Sequence, residues 1–458
     1  MKNHLFHPSI VRDYDIRGIV GETLFLEDAE ALGRSIGSVI RNENKTSVCV
    51  ARDGRLTSPE LTKALIKGLL STGVNVLNVG VGPSPMLYHA VHDKNAGGGV
   101  MVTGSHNPPD YNGFKIMIGG HSLSGQHIQN LADIAKEGKW TTGNGTERFI
   151  EHQTCYIQYI LKNNSSNALK VAWDTGNGAA GECVKALTPH LGGKHYTLNA
   201  EIDGTFPNHH PDPTLEENLV QLKSFIQDKG CDLGFAFDGD GDRLVVVDRD
   251  GSTISSDHLI AFFAEHILKT KPKSVILSDV KISQKTLDVI KEKGGVPIIW
   301  KTGHSYFKDK MIELNAPFAG EVSGHYYFLE EESYGFDDAL LAATLLLKML
   351  TNANQTLEMF VQHFPKTYTT PEIRLACPDD VKFNIINHII ADLKFEGADF
   401  IDVDGARVME KDGWWLIRAS NTQPALVARV EANSQENLKG LVKALQARLK
   451  VFDIMLPV

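Results

Sequence analysis

Five cysteines in 458 residues are too few and too scattered for a disulfide framework. Cys49, Cys155, Cys183, Cys231 and Cys377 are odd in number, mostly flanked by apolar residues, and form no C-x-x-C pair. That excludes a sequence-local zinc site and fits buried thiols in a reducing compartment. Long apolar runs are missing too. Stretches such as Leu340 to Leu347 fall far short of the ~20 residues of a membrane span, and the N-terminal MKNHLFHPSIVRDYDIRG has no apolar signal core. A soluble, cytoplasmic protein is expected, with no membrane partner. Positive charge is also scarce. With 46 Lys and Arg against 56 Asp and Glu the net charge is −10, which argues against nucleic acid or an anionic membrane surface as the partner. An anionic small molecule is not excluded, because nearby Arg, Lys and helix N-termini set the field inside a cleft. There is no low-complexity stretch or long linker.

What is present is the bulk and patterning of several packed domains. At ~150 residues per domain the length suggests three, and admits two to four. Apolar and charged fractions of 42% and 22% support a sizeable core. Residues 48 to 102 alternate strand and helix as VCVARDG, SPELTKALIKGLLSTG, VNVLNVGV, PSPMLYHAVHD and GGGVMVTGS. Ser58 is expected to cap the first helix, with Pro59 at its first position, Leu61, Ala64, Leu65 and Leu69 on one face, and Gly73 as the stop. Strands separated by helices imply mostly parallel pairing, with chemistry gathered at strand C-termini. The unit returns at LKVAWD to CDLGFAFDGDGDRLVVVDRDG and again from SVILSDV to a long helix at Asp337 to Leu350. After Pro365 the pattern becomes strand, helix, a meander of short strands and a final helix from 434 to about 451. The expected fold is three similar α/β domains with mixed sheets, 1–150, 151–253 and 254–367, plus a C-terminal α+β domain, 368–458, around a central active-site cleft.

Four segments carry functional chemistry. The first, GGGVMVTGSHNPPDYNGFK, delivers Ser105 from a buried strand into a Gly- and Pro-rich loop, with His106 beside it and Lys115 ten residues on. Taken alone, it suits a decorated surface turn as well as a nucleophile. The second, DGDGDR, places Asp238, Asp240 and Asp242 at alternate positions after the apolar strand DLGFAF. Three carboxylates separated by glycine can converge on one hard cation. An EF-hand does not fit, since its positions six and twelve fall on Arg243 and Arg249. The third, GEVSGHYYF, alternates Glu321, Ser323 and His325, so an extended strand would present all three to one polyhydroxyl ligand. Upstream of it, KTGHSYFKDK sets Lys301, Gly303 and His304 before a helix. The fourth, RASNTQP, offers Arg418 with Ser420, Asn421 and Thr422 as a phosphate cradle. VRDYDIRG near the N-terminus reads by itself as a charged turn.

Two rivals can be weighed. Gly176 to Gly181 matches G-x-G-x-x-G after the strand KVAW, with Glu201 downstream as in a dinucleotide fingerprint. Asp174, directly before the glycines, opposes a pyrophosphate there, and tight strand-to-helix packing produces the same pattern. A serine hydrolase is unsupported, since Ser105 lies in Thr-Gly-Ser-His-Asn and not in G-x-S-x-G.

YDIRG, TGSHNPPDYNGFK, DGDGDR, GEVSGH and RASNTQP, in that order across the whole chain, resemble the α-D-phosphohexomutase family, particularly its bacterial phosphomannomutase/phosphoglucomutase branch. The resemblance implies that Ser105 carries a phosphate, with Asp238, Asp240 and Asp242 binding Mg²⁺ and the phosphoserine completing the metal's ligands. It implies that GEVSGH reads sugar hydroxyls, and that Arg418 to Thr422 grip the phosphate that does not react. Lys115 and His325, with Arg17 nearby, are the expected proton-handling and charge-stabilising groups. His106 and Arg243 join them at the reacting end, and Tyr14 with Lys301, Gly303 and His304 at the sugar. The reaction implied is reversible transfer between the 1- and 6-positions of mannose and glucose phosphates through a hexose 1,6-bisphosphate that turns over in the cleft. Glucosamine phosphate is the alternative, but Val322 stands where that branch carries Gln. Gln423 departs from the family's usual Glu and leaves the neighbouring donors in place. Mannose and glucose differ only at C2, so weak discrimination is expected. A dinucleotide-dependent oxidoreductase and a non-catalytic binding protein are the readings from other classes. The partners implied are small hexose phosphates, and a monomer is expected, with a dimer as the alternative.

Overall fold

The strand Gly98–Val102 is buried at every position, so it runs through the middle of a sheet and needs no polar face. The computed structural model describes residues 3–163, 168–330, 333–353 and 355–457. It sets this strand between Ser47–Arg52, parallel to it, and Tyr111–Ile118, antiparallel. Asn75–Val81 and Glu147–Phe149 extend the parallel side, and Ile16–Ile19 closes the other edge. The sheet is therefore mixed, as expected, with parallel pairs on one side of Gly98–Val102 and antiparallel pairs on the other. After Ser105 the chain returns without a helix, a connection too short for anything but an antiparallel neighbour. VRDYDIRG is no free turn, because Arg17 lies within the edge strand, opposite Gly113.

The next two sheets repeat the device. The second runs Thr253–Ile254, Leu244–Asp248, Leu233–Phe237, Lys170–Asp174, Lys194–Leu198. It extends through Ile254, one residue past the boundary expected from the sequence. The third runs Val296–Trp300, Val275–Asp279, Phe318–Gly320, Tyr326–Glu330, Ser333–Asp337. In each sheet a buried strand with parallel neighbours hands over to an antiparallel return: Leu233–Phe237 to Leu244–Asp248, and Phe318–Gly320 to Tyr326–Glu330. The handover loops carry TGSHNPPD, DGDGDR and EVSGH. GEVSGHYYF, expected as one extended strand, is thus part of a hairpin, and Glu321, Ser323 and His325 sit in its turn. The fourth sheet is antiparallel throughout, and RASNTQP spans its turn between Gly413–Ala419 and Ala425–Ala432.

Local sequence explains most element ends. Ser255, Asp338, Thr356 and Ser434 each accept a backbone N–H as helix N-caps. Ser58 is an exception to expectation. It lies inside the helix Ser58–Leu70, and its hydroxyl donates to Asp53. All five cysteines are free, and four are buried.

One apolar cluster runs through the first three domains, while the fourth has its own around Trp415, Ile417 and Leu445. The fourth sheet meets the third domain through a small apolar contact of Trp414 and Leu416 with Val280. Arg407 lies 3.8 Å from the Trp414 ring centroid and donates to the carbonyls of Val280 and Ile282. Arg429 donates to the Lys281 carbonyl and to Asp257. Trp414→Ala is expected to cost ~3–5 kcal/mol by opening a cavity at this joint. A fall in the denaturation midpoint of the C-terminal domain measures it, and an unchanged midpoint contradicts the packing role.

Candidate active site

Ser105 is buried and holds a left-handed backbone at φ 48°, a conformation that costs a non-glycine residue ~1–3 kcal/mol. Its N–H donates to Thr103 Oγ1 at 2.8 Å, and its carbonyl accepts from Arg55 Nη2 at 2.7 Å. Arg55 also donates to the carbonyls of Asn107, Pro108 and Tyr111. One guanidinium thus frames the whole loop, and Asp53, 3.2 Å away, holds it while accepting from Thr103 and Gly104. The Ser105 hydroxyl donates to Asp238 Oδ2 at 3.0 Å and lies 3.2 Å from His106 Nδ1. Burial, with Arg243 and Arg17 nearby, holds His106 well below the usual imidazole range. Arg17 donates to Asn107 of the same loop and to Asp15.

Asp238, Asp240 and Asp242 are fully buried, and a carboxylate oxygen from each lies within 4.8 Å of the other two. Burial and the two neighbouring carboxylates push Asp238 well above its ordinary range. One oxygen of Asp240 and one of Asp242 have no hydrogen-bond partner among the described residues. Hard oxygen donors, excess negative charge and orphaned lone pairs fit a small divalent cation. Lys115 supplies part of the balance, donating to Asp240 at 2.6 Å and to Asp242. Burial would depress its ammonium, but Asp240 and Asp242 outweigh it and hold the pKa well above the usual lysine range. The loop is pressed so close to Ser105 that a Cβ on Gly239 would stand 2.4 Å from the Ser105 carbonyl oxygen. Arg243 donates its N–H to Asp238 and its Nε to His325.

The glycine run at 176 to 181 turns out to be a support for this loop. The N–H groups of Gly176, Asn177, Gly178 and Ala179 donate to Asp174, Asn199, Thr175 and Gly239. None of those four is available to a pyrophosphate, and Glu201 pairs with Lys185.

In the hairpin turn, Glu321 accepts from the Gly303 N–H at 2.9 Å and from Tyr327 at 2.6 Å, tying the GEVSGH and KTGHSYFKDK segments together. His325 Nδ1 lies 2.9 Å from Ser323 Oγ, and its Nε2 lies 3.4 Å from Asp242. His304 packs edge-on to Tyr14. Burial, with Lys308 beside it, holds His304 well below the usual imidazole range, so it presents a neutral ring. Lys308 is itself buried, 2.7 Å from Asp337.

In the fourth domain, Arg418 Nε donates to Asp404 at 2.9 Å. Lys382 donates to the carbonyls of Ser420 and Gln423, framing this loop as Arg55 frames the first. The cavity of about 110 Å³ between the domains brings together nearly every residue singled out from sequence. Tyr14, Arg17, Ser105, His106, Lys115, Arg243, Gly303, His304, Glu321, Ser323, His325, Arg418, Ser420, Asn421 and Thr422 all line it. The three aspartates lie behind Ser105 and Lys115. Lys301 is the departure: it faces an adjoining outer basin of about 870 Å³, its ammonium 5.3 Å from the Tyr306 ring. Sequence reasoning missed Lys281, Glu372 and Arg374, which also line the cavity. It also missed the positioning residues Asp53, Arg55, Lys308, Lys382 and Asp404. Asp53 and Arg55 were findable, since RDGR follows a buried strand at the same sheet edge as Ser105, and Lys308 lies within KTGHSYFKDK; Lys382 and Asp404 sit in unremarkable surroundings.

Comparison with known proteins gives a consistent result. Four family models match in order: "Phosphoglucomutase/phosphomannomutase, alpha/beta/alpha domain I" over residues 8–142, domain II over 147–251, domain III over 255–368 and the C-terminal domain over 372–447. A phosphomannomutase/phosphoglucomutase of Pseudomonas aeruginosa is 42% identical over 98% of this chain and 97% of its own. A phosphoglucomutase of Neisseria meningitidis is 41% identical over 96% of each. The crystal structure of a phosphoglucomutase/phosphomannomutase family protein from Burkholderia thailandensis superposes with a TM-score of 0.92 at 39% identity, covering 99% of this chain and 100% of that one.

Two measurements test the geometry. Arg55→Met leaves Asp53 buried without its ion partner and withdraws a donor from four loop carbonyls, so stability falls by ~3–5 kcal/mol; a loss below ~1 kcal/mol in chemical denaturation contradicts the clamp. Lys281 lowers Glu372 to about 2. Because that folded value lies below the unfolded one, the pair's stabilisation is complete above about 4.5 and fades as pH falls through about 2. Carbon-13 titration of Glu372 should show its midpoint rising toward about 4.5 in Lys281→Met; no change there refutes the pairing.

Proposed function

The chain belongs to the phosphoglucomutase/phosphomannomutase family, and from that premise we propose that it moves a phosphoryl group reversibly between the 1- and 6-positions of glucose and mannose phosphates, using Ser105 as the carrier. The observation that carries the reading is the meeting, in one cavity, of a serine hydroxyl on a carboxylate trio, a hydroxyl-reading turn and an arginine cradle.

Phosphoryl transfer asks for in-line positioning and charge neutralisation more than for covalent help. In the working form Ser105 carries the phosphate. A sugar hydroxyl attacks its phosphorus, the new O–P bond forms, and the Ser105 Oγ–P bond breaks to give a hexose 1,6-bisphosphate. Asp238, Asp240 and Asp242, with the Ser105 phosphate, would hold Mg²⁺, which when bound draws charge from the transferring group. Lys115 remains an ammonium at neutral pH, so it stabilises the negative charge that develops between Ser105 and the sugar oxygen. His325, beside Ser323 and Asp242, is the group we assign to hold and return the proton of the attacking hydroxyl. Arg17, Arg243 and His106 border the same end.

At the far end Arg418 presents its guanidinium fork, steadied at Nε by Asp404, with Ser420, Asn421 and Thr422 around the phosphate that does not react. Lys281 and Arg374 add charge on that side. Glu321, Ser323 and the neutral His304 read the sugar hydroxyls. These contacts serve either end of the bisphosphate, so the intermediate can turn and give its other phosphate back to Ser105. Mannose and glucose differ only at C2, and a pocket with few contacts there would accept both epimers.

Purified protein with Mg²⁺, a trace of glucose 1,6-bisphosphate and glucose, mannose or glucosamine 1-phosphate tests the reading. Glucose and mannose 6-phosphates should form at comparable rates, and glucosamine 6-phosphate more slowly; absence of all three products sinks the proposal. Ser105→Ala should lower turnover by at least ~10³-fold, and should abolish the phosphatase-removable phosphate seen by intact mass.

A further inference from the structure

Away from the cleft, where the first two domains join, three side chains of metal-ligating type face one another. Asp93 ends the helix Ser84–Asp93 of the first domain, while His152 and Cys155 lie at the start of the helix Gln153–Leu161 of the second. One donor atom from each lies within 4.8 Å of the others. His152 is 1% exposed, and its Nδ1 has no hydrogen-bond partner among the described residues. That nitrogen stands 3.9 Å from Asp93 Oδ2. The ring cannot turn away to satisfy it, because Nε2 is bonded to His89 Nδ1 at 2.8 Å, and His89 packs in turn against Tyr159. In the tautomer that donates from Nε2 to His89, Nδ1 is left as a free lone pair beside the carboxylate. A histidine fixed through one nitrogen and bare at the other is the arrangement found in metal-ligating imidazoles.

We propose that Asp93, His152 and Cys155 form a binding site for a borderline divalent transition metal of the Zn²⁺ or Co²⁺ type, separate from the aspartate trio. Thiolate, imidazole and carboxylate together suit such an ion and disfavour Mg²⁺, which prefers oxygen alone. Tetrahedral bonds of ~2.0–2.3 Å place donors ~3.3–3.8 Å apart, so the cluster needs a contraction of about an ångström. The rim residues can provide it: Asp93 is exposed and Cys155 partly so, and they also open a path to solvent. Lys94 Nζ now sits 2.8 Å from Asp93 Oδ2, as one half of a surface pair with little to lose on displacement. An ion here would strap the second domain's first helix to the helix whose other end, at Ser84, donates to Asp240.

The test uses full-length protein in saturating Mg²⁺, so that the aspartate trio is occupied, and titrates it with Co²⁺ and separately with Zn²⁺. Wild-type protein should show a thiolate-to-cobalt charge-transfer band and bind one equivalent of Zn²⁺ by equilibrium dialysis. The band reports on Cys155, because the other four thiols are buried. Cys155→Ser should lose the band and at least ~10-fold in Zn²⁺ affinity, and Asp93→Asn should keep the band and lose ~10-fold or more. Both variants should retain mutase turnover in Mg²⁺, which certifies their fold. No band in wild-type protein, a band that survives in Cys155→Ser, or Zn²⁺ affinity unchanged in both variants overturns the proposal.

Discussion

The structure depends on keeping three carboxylates, Asp238, Asp240 and Asp242, together with no exposure to water. Left to themselves they would repel one another and pay the full desolvation of their charges. The compensation comes from three domains at once. Lys115 and Ser84 reach in from the first, Arg243 follows on the loop of the second, and His325 arrives from the third. None of the three domains satisfies this cluster alone, and one apolar cluster joins all three beside their own cores. The same concentration of negative charge calls for a cation beside a serine that is to exchange a doubly charged phosphate.

A second constraint shapes the loops. Each functional segment leaves a buried strand and crosses the cleft as irregular backbone, whose carbonyls have no ladder to join. At two of these loops, and at the turn around Lys281, the molecule answers with a buried cation. Arg55 gathers the carbonyls of the serine loop, Lys382 those of the phosphate cradle, and Arg407 and Arg429 those flanking Lys281. Such clamps make a loop rigid without giving it regular structure. Ser105 can therefore stay in a left-handed conformation that its sequence neighbours do not favour.

Much of the site was legible as words in the chain. TGSHNPPD, DGDGDR, GEVSGH and RASNTQP are dense in turn formers and polar groups at the ends of apolar strands, so they stand out against an ordinary background. The single charged residues that hold them do not. Lys281 and Glu372 are 91 residues apart, and each occupies local sequence that reads as a plain surface. The glycine run at 176 to 181 illustrates the converse. Its spacing promised a ligand, but the promise rests on which amides are left undonated, and all four of those that matter are consumed within the protein.

By itself, then, the sequence determined the elements, the mixed α/β class, the four-domain order and the loops that carry reacting groups, because periodicity, turn chemistry and donor type are local properties. Tertiary structure alone decided what those groups become. It set Lys115 against Asp240 and Asp242, which hold its ammonium, and buried the His304 ring beside Lys308. It turned Glu321, Ser323 and His325 from one face of a strand into a hairpin turn, and it left His152 Nδ1 without a hydrogen-bond partner among the described residues. Each of these outcomes is a matter of burial and of neighbours brought in from distant chain positions, which no window of sequence contains.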